Sequence, residues 1–556
     1  MKAALLSSLA ALAVVPGLCG FSVHESDNPH VLQLGMKRNR HDNPVSRDRR
    51  RFKRQSGQSV DVDLYGYSMG GELYSTNLTI GSPPQRAEVS VDTGSSDLWV
   101  VYTNNQICGA VNAMCDELGT YDPVDSDTAE PLSDEFQIQY GDNSWATGYY
   151  AIDTLTIVDA ELPQVQFGVA IESSIDSKLS TSLKHAILFA STKLILVEGI
   201  LGIGYPTNVA SREVYPNLPY LLSRNNITNS NAYSLWLNRL GEDEGNILFG
   251  GVNTAHYTGS LQTVPVVPYN GAYVHLWLTL TGLAVESASD DVQKSYDDHP
   301  EFPVVVLLDS GATISYLPAD IVAQIYSDLD VHFFAEEQFG LVPCDTYLTG
   351  REDYNVTFSF SGVEIRVPLS ELVLQDALYY NGDYLHIDDE ESCIFGLAPS
   401  VDFFPILGDS FLRSAYAVFD LENNEISLAQ ANFEPGDDHI LEIGDGDDSI
   451  PGATQVANPV TTATVVISGS SLVLPDDFTN EPIFPSRTVT VDASTTAVTR
   501  PRPTDDDEDE DDDEDTTSGA SGTVANPEES GLAVATRSNP LLYAGVAGVG
   551  LLLGLS

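Results

Sequence analysis

Two short stretches of the sequence each place an Asp before a hydroxyl residue and a Gly. They read Val-Asp-Thr-Gly-Ser-Ser-Asp-Leu-Trp at 91–99 and Leu-Asp-Ser-Gly-Ala-Thr at 308–313. Because Gly permits a tight turn where a Cβ would clash, each carboxylate can sit at the tip of a loop. If the loops meet, Asp92 and Asp309 lie too close for both to ionise, and they share one proton. Such a pair contains an acid and a base, which suits activation of water against a peptide bond without a metal or a covalent intermediate.

Apolar segments with strand character must position both motifs. The alternating segment Ala87–Val91 leads into the first motif, and the apolar run Phe302–Leu308 leads into the second. A further apolar segment containing Gly follows each motif, Gly-Ile-Leu-Gly-Ile-Gly at 199–204 and Pro-Ile-Leu-Gly-Asp-Ser-Phe-Leu at 405–412. This repetition indicates a degenerate internal duplication in which two lobes contribute one Asp each.

Over residues 60–432 the sequence resembles the pepsin-like aspartic endopeptidases. Further matching stretches are Gln-Tyr-Gly-Asp-Asn-Ser at 139–144, Leu-Phe-Gly-Gly-Val-Asn at 248–253, Tyr-Thr-Gly-Ser-Leu at 257–261 and Val-Phe-Asp-Leu-Glu-Asn-Asn at 418–424. The resemblance implies an all-β bilobal fold with an active-site cleft between two related lobes, and proteolysis at acidic pH by Asp92 and Asp309 without a cofactor. The sequence favours short strands and few helices, the best near Pro318–Leu329, Leu369–Leu374 and Asp409–Ser414.

Supporting roles follow from the same resemblance. Ser95 can donate a hydrogen bond to the outer oxygen of Asp92 and so favour its ionised form. The hydroxyls of Thr93 and Ser310 are expected to brace the two loops against each other. The second motif has Ala312 at the place that matches Ser95, so Asp309 is expected to lack this hydrogen bond.

The resemblance also implies a flap that closes over the substrate and excludes water. Tyr140 and Gly141 match this flap, and Trp99 matches the indole that donates a hydrogen bond to the flap tyrosine. Asp142 is expected to lie over the pocket for the residue before the scissile bond, where it would hold Lys or Arg as well as admitting large apolar residues. The remaining substrate-binding positions are Gly94, Gly311 and Thr313.

The N-terminus reads as a secretory signal followed by a propeptide. Residues 1–19 combine Lys2 with an apolar core and a small-residue end. Residues 20–54 are basic and end in Lys53-Arg54, a site for a kexin-like convertase. The two lobes would then occupy 55–255 and 256–432. Lys37 is the candidate for the prosegment lysine that contacts the two aspartates in the family.

Charge supports this division of the chain. Residues 1–54 hold 10 of the 25 basic side chains but four of the 81 acidic ones, which leaves the remainder with 15 basic and 77 acidic residues and a formal charge of −62. Such a surface repels itself at neutral pH and is relieved as carboxylates protonate, so it suits acidic surroundings. It argues against nucleic-acid binding, which needs a basic face. We expect a monomer that acts on protein or peptide substrates.

Five cysteines are present, and Cys19 leaves with the signal. Four cysteines in an oxidising compartment allow three disulfide connectivities. The resemblance implies Cys108–Cys115 and Cys344–Cys393, one bridge within each lobe. A metal site is not expected, since the sequence contains neither CxxC nor HExxH.

The C-terminal region changes to Asp, Ser, Thr, Gly, Pro and Ala. Residues 433–530, with the acidic run Asp505–Asp515, predict a disordered, O-glycosylated stalk. The apolar end within 531–556 predicts a signal for a glycosylphosphatidylinositol (GPI) anchor, with the anchor attached at Ser530 or Gly531. The protein is then expected at the cell surface, on the plasma membrane or in the wall. A single-pass membrane anchor is the alternative. These features narrow the resemblance to the yapsin-like, surface-anchored proteases of fungi.

One segment departs from its surroundings. Residues 178–197 hold three of the four lysines beyond residue 54. We interpret this segment as translated intron sequence, with a surface helix or hairpin as the alternative, and transcript sequencing would distinguish them. N-glycosylation sequons occur at Asn77, Asn226 and Asn355.

Two competing functions differ in class. Gly-Tyr-Ser-Met-Gly at 66–70 matches the nucleophile elbow of serine hydrolases, with Ser68 as nucleophile, but it lacks the required βαβ context. The other is a cell-wall adhesion protein with weak catalysis on the protease fold. Pepstatin-sensitive cleavage would indicate the aspartic protease, reaction with a fluorophosphonate would indicate the serine enzyme, and the adhesin would show neither.

Overall fold

The computed structural model describes residues 30–42, 70–109, 115–140, 145–158, 160–173, 198–242, 244–288, 292–334, 338–380, 383–401, 403–460, 462–467 and 487–492. Within these ranges the chain is mostly β-sheet with a few short helices, consistent with a pepsin-like fold. The predicted signal peptide, the segment 178–197 and the predicted GPI signal lie outside the described residues. Among the described residues, no helix has the length and apolar character needed to cross a membrane.

The strands of the first half carry the first Asp motif. In β6, Ala151, Asp153, Leu155 and Ile157 are buried while the residues between them are partly exposed, the alternation expected of a sheet with one face on the core. The strands are β1 (Leu32–Asp42), β2 (Gly70–Ile80), β3 (Gln85–Asp92), β4 (Leu98–Val101), β5 (Glu130–Gln139), β6 (Trp145–Ile157), β7 (Ala160–Ser173), β8 (Gly199–Gly202), β9 (Ala232–Trp236), β10 (Glu244–Phe249), β11 (Gly251–Asn253) and β12 (Tyr257–Pro265).

The strands of the second half carry the second motif and a C-terminal extension. They are β13 (Trp277–Leu280), β14 (Gly282–Ser287), β15 (Val292–Ser295), β16 (Val304–Leu308), β17 (Ser315–Pro318), β18 (His332–Phe334), β19 (Phe339–Pro343), β20 (Tyr354–Phe360), β21 (Val363–Pro368), β22 (Val373–Ala377), β23 (Tyr379–Tyr380), β24 (Asp383–Tyr384), β25 (His386–Ile387), β26 (Glu390–Phe395), β27 (Leu397–Ser400), β28 (Ile406–Leu407), β29 (Ala415–Asp420), β30 (Glu425–Ala431), β31 (Ile440–Glu442), β32 (Ala453–Gln455), β33 (Thr462–Ile467) and β34 (Arg487–Asp492).

The described helices are short. The longest, α3, buries Ile321, Ile325 and Leu329, which share one face at a spacing of four residues. The α-helices are α1 (Cys115–Leu118), α2 (Leu218–Arg224), α3 (Ala319–Leu329), α4 (Cys344–Leu348) and α5 (Asp409–Leu412); 3-10 helices cover Gln106–Gly109, Pro123–Asp125, Pro206–Asn208 and Leu369–Leu372. The sequence located α3, α5 and the last 3-10 helix, although the latter two end earlier than expected.

A 14-stranded sheet joins the two halves of the chain. Its order is β32-β12-β30-β29-β9-β10-β1-β2-β3-β8-β4-β7-β6-β5. Strand β29 from the end of the second half pairs with β9 of the first, so segments about 180 residues apart share one layer. Strand β1, from the predicted propeptide, pairs with β10 on one edge and with β2 on the other.

Each Asp motif emerges from a buried strand that is flanked by a parallel partner. Strand β3 runs parallel to β8, with Asp92 opposite Gly202. Strand β16 is buried along its whole length and runs parallel to β28, with Leu308 opposite Leu407. The two apolar segments that follow the motifs in sequence therefore become the strands beside them, as the internal duplication predicts.

The prediction of a disordered stalk over residues 433–530 is wrong at its N-terminal end, and also at β33 and β34, which pair with each other and, through β33, with β16. We call residues 433–460 the C-terminal extension; it packs on the folded body through β31, which pairs with β11, and β32, which runs parallel to β12. Ile443 and Ile450 are buried. The polar composition of the whole region hid these few apolar side chains, which are enough to dock a short strand on an open edge.

Two disulfides hold short helices in place, the first between the 3-10 helix Gln106–Gly109 and α1. The structure pairs Cys108 with Cys115 and Cys344 with Cys393, the same pairing that the resemblance implies. The second bridge links the start of α4 to β26. Each bridge therefore stays within one half of the chain.

Candidate active site

The first Asp motif holds its carboxylate with two donors. Asp92 ends β3 and is buried. The Gly94 backbone N–H donates to its Oδ1 (2.8 Å), and the Ser95 hydroxyl donates to its Oδ2 (2.6 Å). The two bonds fix the orientation of the carboxylate, with one donor on each of its oxygens.

The second motif repeats this turn without a hydroxyl at the place of Ser95. The Gly311 backbone N–H donates to Oδ1 of Asp309 (2.8 Å), and the Asp309 backbone N–H donates to the Leu407 carbonyl. Ala312, which is fully buried, stands where Ser95 stands in the first motif and has no hydroxyl to donate. The two carboxylates therefore sit in unequal surroundings.

Reciprocal hydrogen bonds lock the two motifs together. The Thr93 hydroxyl donates to the Leu308 carbonyl (2.9 Å) and accepts from the Ser310 backbone N–H (2.9 Å). The Ser310 hydroxyl in turn donates to the Val91 carbonyl (3.0 Å) and accepts from the Thr93 backbone N–H (3.1 Å). Each hydroxyl bridges two backbone groups of the opposite chain segment, so neither loop can move without breaking bonds of the other.

Gly94 marks how closely the motifs approach. A Cβ built on Gly94 would lie 2.6 Å from Cγ and Oδ1 of Asp309. A side chain at this position would collide with the opposite carboxylate, so the close approach requires Gly. Asp92 and Asp309 thus belong to one site, in which one proton shared between two carboxylates can serve as acid and base.

A hairpin formed by β5 and β6, with Tyr140 between them, lies beside the motifs; we call it the Tyr140 hairpin. The Trp99 indole N–H donates to the Tyr140 hydroxyl (2.7 Å), and both side chains are buried. This is the contact that the resemblance implies. Gly141 and Asp142 lie outside the described residues, and Thr313 is fully buried.

Sequence reasoning missed a buried carboxylate in the first motif. Asp97 has no exposed surface, and it accepts hydrogen bonds from Tyr150, Tyr215 and the Ala210 backbone N–H. Burial raises the pKa of Asp97 to about 6, against the opposing effect of the three donors. An ionisable residue directly before the apolar run that forms β4 was the signal that could have found it.

Lys37 does not reach the aspartates. It is exposed on β1, opposite Ser75 and Glu244, whereas Asp92 and Asp309 are buried. The expectation that it contacts both carboxylates is wrong, because alternation along a paired strand directs this position to solvent while Leu34 and Met36 face the core.

Other predicted sites differ in accessibility. Asn226 is exposed on a turn after α2, Asn355 is half-buried on β20, and Asn77 is half-buried within β2, whose neighbours β1 and β3 occupy both edges. Ser68 and the attachment positions Ser530 and Gly531 lie outside the described residues.

In the described ranges, no group of three or more His, Cys, Asp or Glu side chains could hold a metal ion.

Comparison with known proteins gives a consistent result. A family model described as eukaryotic aspartyl protease matches residues 73–431. The chain is 42% identical to a probable aspartic-type endopeptidase opsB of Aspergillus oryzae, over 84% of this chain and 90% of that protein. The opsB protein of Aspergillus fumigatus matches equally well, at 42% identity over the same shares. Secreted aspartic protease 8 of Candida albicans is 36% identical over 65% of this chain and 77% of its own.

Proposed function

Because this chain belongs to the eukaryotic aspartyl protease family and is an aspartic-type endopeptidase of class EC 3.4.23, we propose that Asp92 and Asp309 are its catalytic pair. They lie in a cleft between two related β lobes and act at acidic pH on protein or peptide substrates. The observation that carries this proposal is the reciprocal bonding of Thr93 and Ser310, since it joins the two Asp loops into one unit.

In the proposed reaction, one carboxylate accepts a proton while the other donates one. A water molecule is held between the carboxylates, and the charged member takes a proton from it as the water oxygen attacks the substrate carbonyl carbon. The protonated member donates its proton to the carbonyl oxygen, which gives a tetrahedral diol. The leaving nitrogen is then protonated while a diol hydroxyl loses its proton, and the C–N bond breaks. The Ser95 hydroxyl bonds to Asp92, and Ala312 at the matching place offers no hydroxyl to Asp309, which supports Asp92 as the charged member before attack.

Removal of either carboxylate tests this assignment. Asp92→Asn and Asp309→Asn keep the shape but remove the shared proton, so kcat should fall by about 10²- to 10⁴-fold or more. Asp320→Asn, in the first turn of α3, is the matched control and should keep full activity. Substantial turnover in either purified variant would refute the catalytic pair. Labelling of Ser68 by a fluorophosphonate would favour the serine hydrolase, and a folded protein without any activity would favour the adhesin.

The substrate preference of this site includes basic residues. We assign Asp142 to the pocket for the residue before the scissile bond, because it lies two positions beyond Tyr140 in sequence. The closing flap would partly desolvate an ion pair between Asp142 and a substrate Lys or Arg, which makes the pair stronger than an exposed one.

A selective loss tests the role of Asp142. Asp142→Thr should lower kcat/KM for Lys and Arg substrates about tenfold and leave Phe and Leu substrates unchanged. Asp134→Thr, at an exposed position of β5, removes the same charge from the hairpin and controls for general attraction of cations. An equal fall for both substrate classes would mean that Asp142 has a structural role only.

The chain is also proposed to mature in the secretory pathway and to remain at the cell surface. The basic segment ending at Lys53-Arg54, the apolar C-terminal end and the name of a relative as a secreted protease support this route. Replacing Lys53 and Arg54 by Ala should leave a larger protein that retains residues 20–54. Phospholipase C specific for phosphatidylinositol should release the enzyme from cells, and a protein that ends before residue 531 should appear in the medium without treatment.

A further inference from the structure

The buried carboxylate of Asp97 is surrounded by hydrogen-bond donors. Its Oδ1 accepts from the hydroxyls of Tyr215 (2.7 Å) and Tyr150 (3.0 Å), and its Oδ2 accepts from the Ala210 backbone N–H (2.7 Å). These donors come from two segments of the chain: β6, and the loop between the 3-10 helix Pro206–Asn208 and α2. An isolated buried carboxylate would be costly, so the three donors are what permits a charge here.

These bonds connect the first Asp motif to the Tyr140 hairpin. Tyr150 lies on β6, and its ring packs edge-on against Phe136 of β5, with centroids 5.3 Å apart. Two residues beyond Asp97, the Trp99 indole N–H bonds to Tyr140 (2.7 Å). Asp97 thus contacts β6 directly and β5 through the ring of Tyr150, and Trp99 contacts Tyr140 at the end of β5.

The internal duplication shows that the motif can fold without this charge. Counting from each Asp, the residue that matches Asp97 in the second motif is Ile314, which is fully buried and apolar. Tyr316 likewise stands where Trp99 stands. The buried carboxylate therefore occurs in the first motif, which contacts the Tyr140 hairpin, and an apolar residue replaces it in the second motif.

Protonation would disturb this arrangement at one atom. Oδ2 faces an N–H group that cannot accept a hydrogen bond, so an added proton belongs on Oδ1, and one tyrosine must then become the acceptor. Burial, the largest effect, raises the pKa of Asp97 to about 6. The titratable groups around it are Tyr150, Tyr215 and, through these two, Tyr140 and Asp134.

We propose that Asp97 is a positioning residue that fixes the Tyr140 hairpin against the first Asp motif through Tyr150, and that its charged form holds the hairpin most firmly. The inference rests on the proposed function, because the hairpin is taken to close over substrate. The neutral form keeps the Ala210 bond but loses one tyrosine donor, so the hairpin is held less firmly in acid.

Activity profiles over about pH 4 to 7 test this role. Asp97→Asn is neutral at every pH, so dividing the wild-type kcat/KM by that of the variant removes the titration of the catalytic pair, which both share. This ratio should rise from about 1 in acid to about 10 near neutral pH, mainly through KM, as a charge-assisted hydrogen bond is lost. Asp153→Asn is the matched control. Asp153 lies on β6 and, like Asp97, is buried and accepts a hydrogen bond from a tyrosine, in this case Tyr121.

Tyr215→Phe provides a second, milder variant. It removes one donor from the charged form of Asp97. When the kcat/KM of Tyr215→Phe is divided by that of Asp97→Asn, the rise should therefore occur at higher pH than it does for the wild type. A merely structural role of Tyr215 would not move the pH of this rise. A ratio that stays flat for Asp97→Asn, or equals that of Asp153→Asn, would overturn the proposal. Failure of the catalytic assignment is separate, since it would appear as turnover in Asp92→Asn.

Discussion

A single hydroxyl group distinguishes the surroundings of the two carboxylates. Ser95 bonds to Asp92, and Ala312 leaves the matching oxygen of Asp309 without that donor. Activity requires one ionised member of the pair, and a donor to the charged form favours ionisation. The missing hydroxyl should therefore move the acid limb of the rate profile to higher pH than in a symmetric pair, as a property of the pair and not of one residue.

Installing the hydroxyl should reverse this displacement. Ala312→Ser or Ala312→Thr should lower the acid limb by about half to one pH unit and extend activity into more acidic solution. The limb is measured from kcat against pH with one peptide substrate. Ser95→Ala is the opposing variant and should raise the same limb. An unchanged limb in well-folded Ala312→Ser enzyme would show that another group sets the optimum.

Residues within the Asp motifs could be predicted from the sequence, and their distant partners could not. The bracing roles of Thr93 and Ser310 follow from a local pattern that occurs twice, and both appear in the structure. Asp97 belongs to the same pattern, but its partners Tyr150 and Tyr215 lie 53 and 118 positions away. No spacing rule connects such positions, because the fold alone brings them together.

Among the secondary-structure elements, the C-terminal extension departs most from the sequence interpretation. Asp438 bonds to the side chain of Asn253, and the His439 N–H donates to the same side chain. Buried His256, stacked on Trp236, lies beside them. The extension thus covers the turn between β11 and β12, and it acts as part of the folded body.

Truncation should reveal this contribution. A chain that ends at Asn432 loses the burial of Ile443 and Ile450, about 1.5–3 kcal/mol for each side chain. Its melting temperature should fall well below that of a chain that ends at Val460, which keeps both. Thermal unfolding followed by circular dichroism gives the comparison. Equal melting temperatures for the two truncated proteins would mean that the extension adds no stability.

Buried titratable groups and surface charge together determine how the stability of the whole molecule depends on pH. Asp97 has a raised pKa, so the folded chain binds a proton that the unfolded chain does not, and stability falls by about 3 kcal/mol as pH rises from about 4 to 6. Burial lowers the pKa of His256 and of His275 to about 4, so their effect has the opposite sign and stability falls as pH drops below about 6.5. Burial raises the pKa of Glu301 to about 7, which adds to the effect of Asp97. The two carboxyl groups and the two histidines therefore largely offset each other between about pH 4 and 6.5.

The remaining groups decide the balance toward neutral pH. Above about pH 6.5 the histidines are neutral in the folded and the unfolded chain, while Glu301 still loses its proton in the folded chain. Burial also raises the pKa of Asp420 and of Glu425 and lowers that of His299. With the formal charge of −62 beyond residue 54, the melting temperature should fall between about pH 6.5 and 7.5. Salt at about 0.5 M should restore part of the loss at neutral pH and change little in acid, since it screens repulsion between ionised carboxylates. A rise in melting temperature toward neutral pH would contradict this balance.

The route of the C-terminal extension has a mechanical consequence. A load applied to the end of the chain reaches the antiparallel pair of β34 and β33 first, and β33 runs parallel to β16, the strand that leads into Asp309. Only after these strands does it reach the bond between the Val460 backbone N–H and Ser361 and the parallel pairing of β32 with β12. A pull along β32 shears its hydrogen bonds together and does not peel them one at a time. Because β12 also pairs with β30 in the sheet that joins both halves, tension on β32 spreads into that sheet, which also contains β3, the strand that ends in Asp92. A pull on the end of the chain is therefore transmitted to the strands behind both Asp loops.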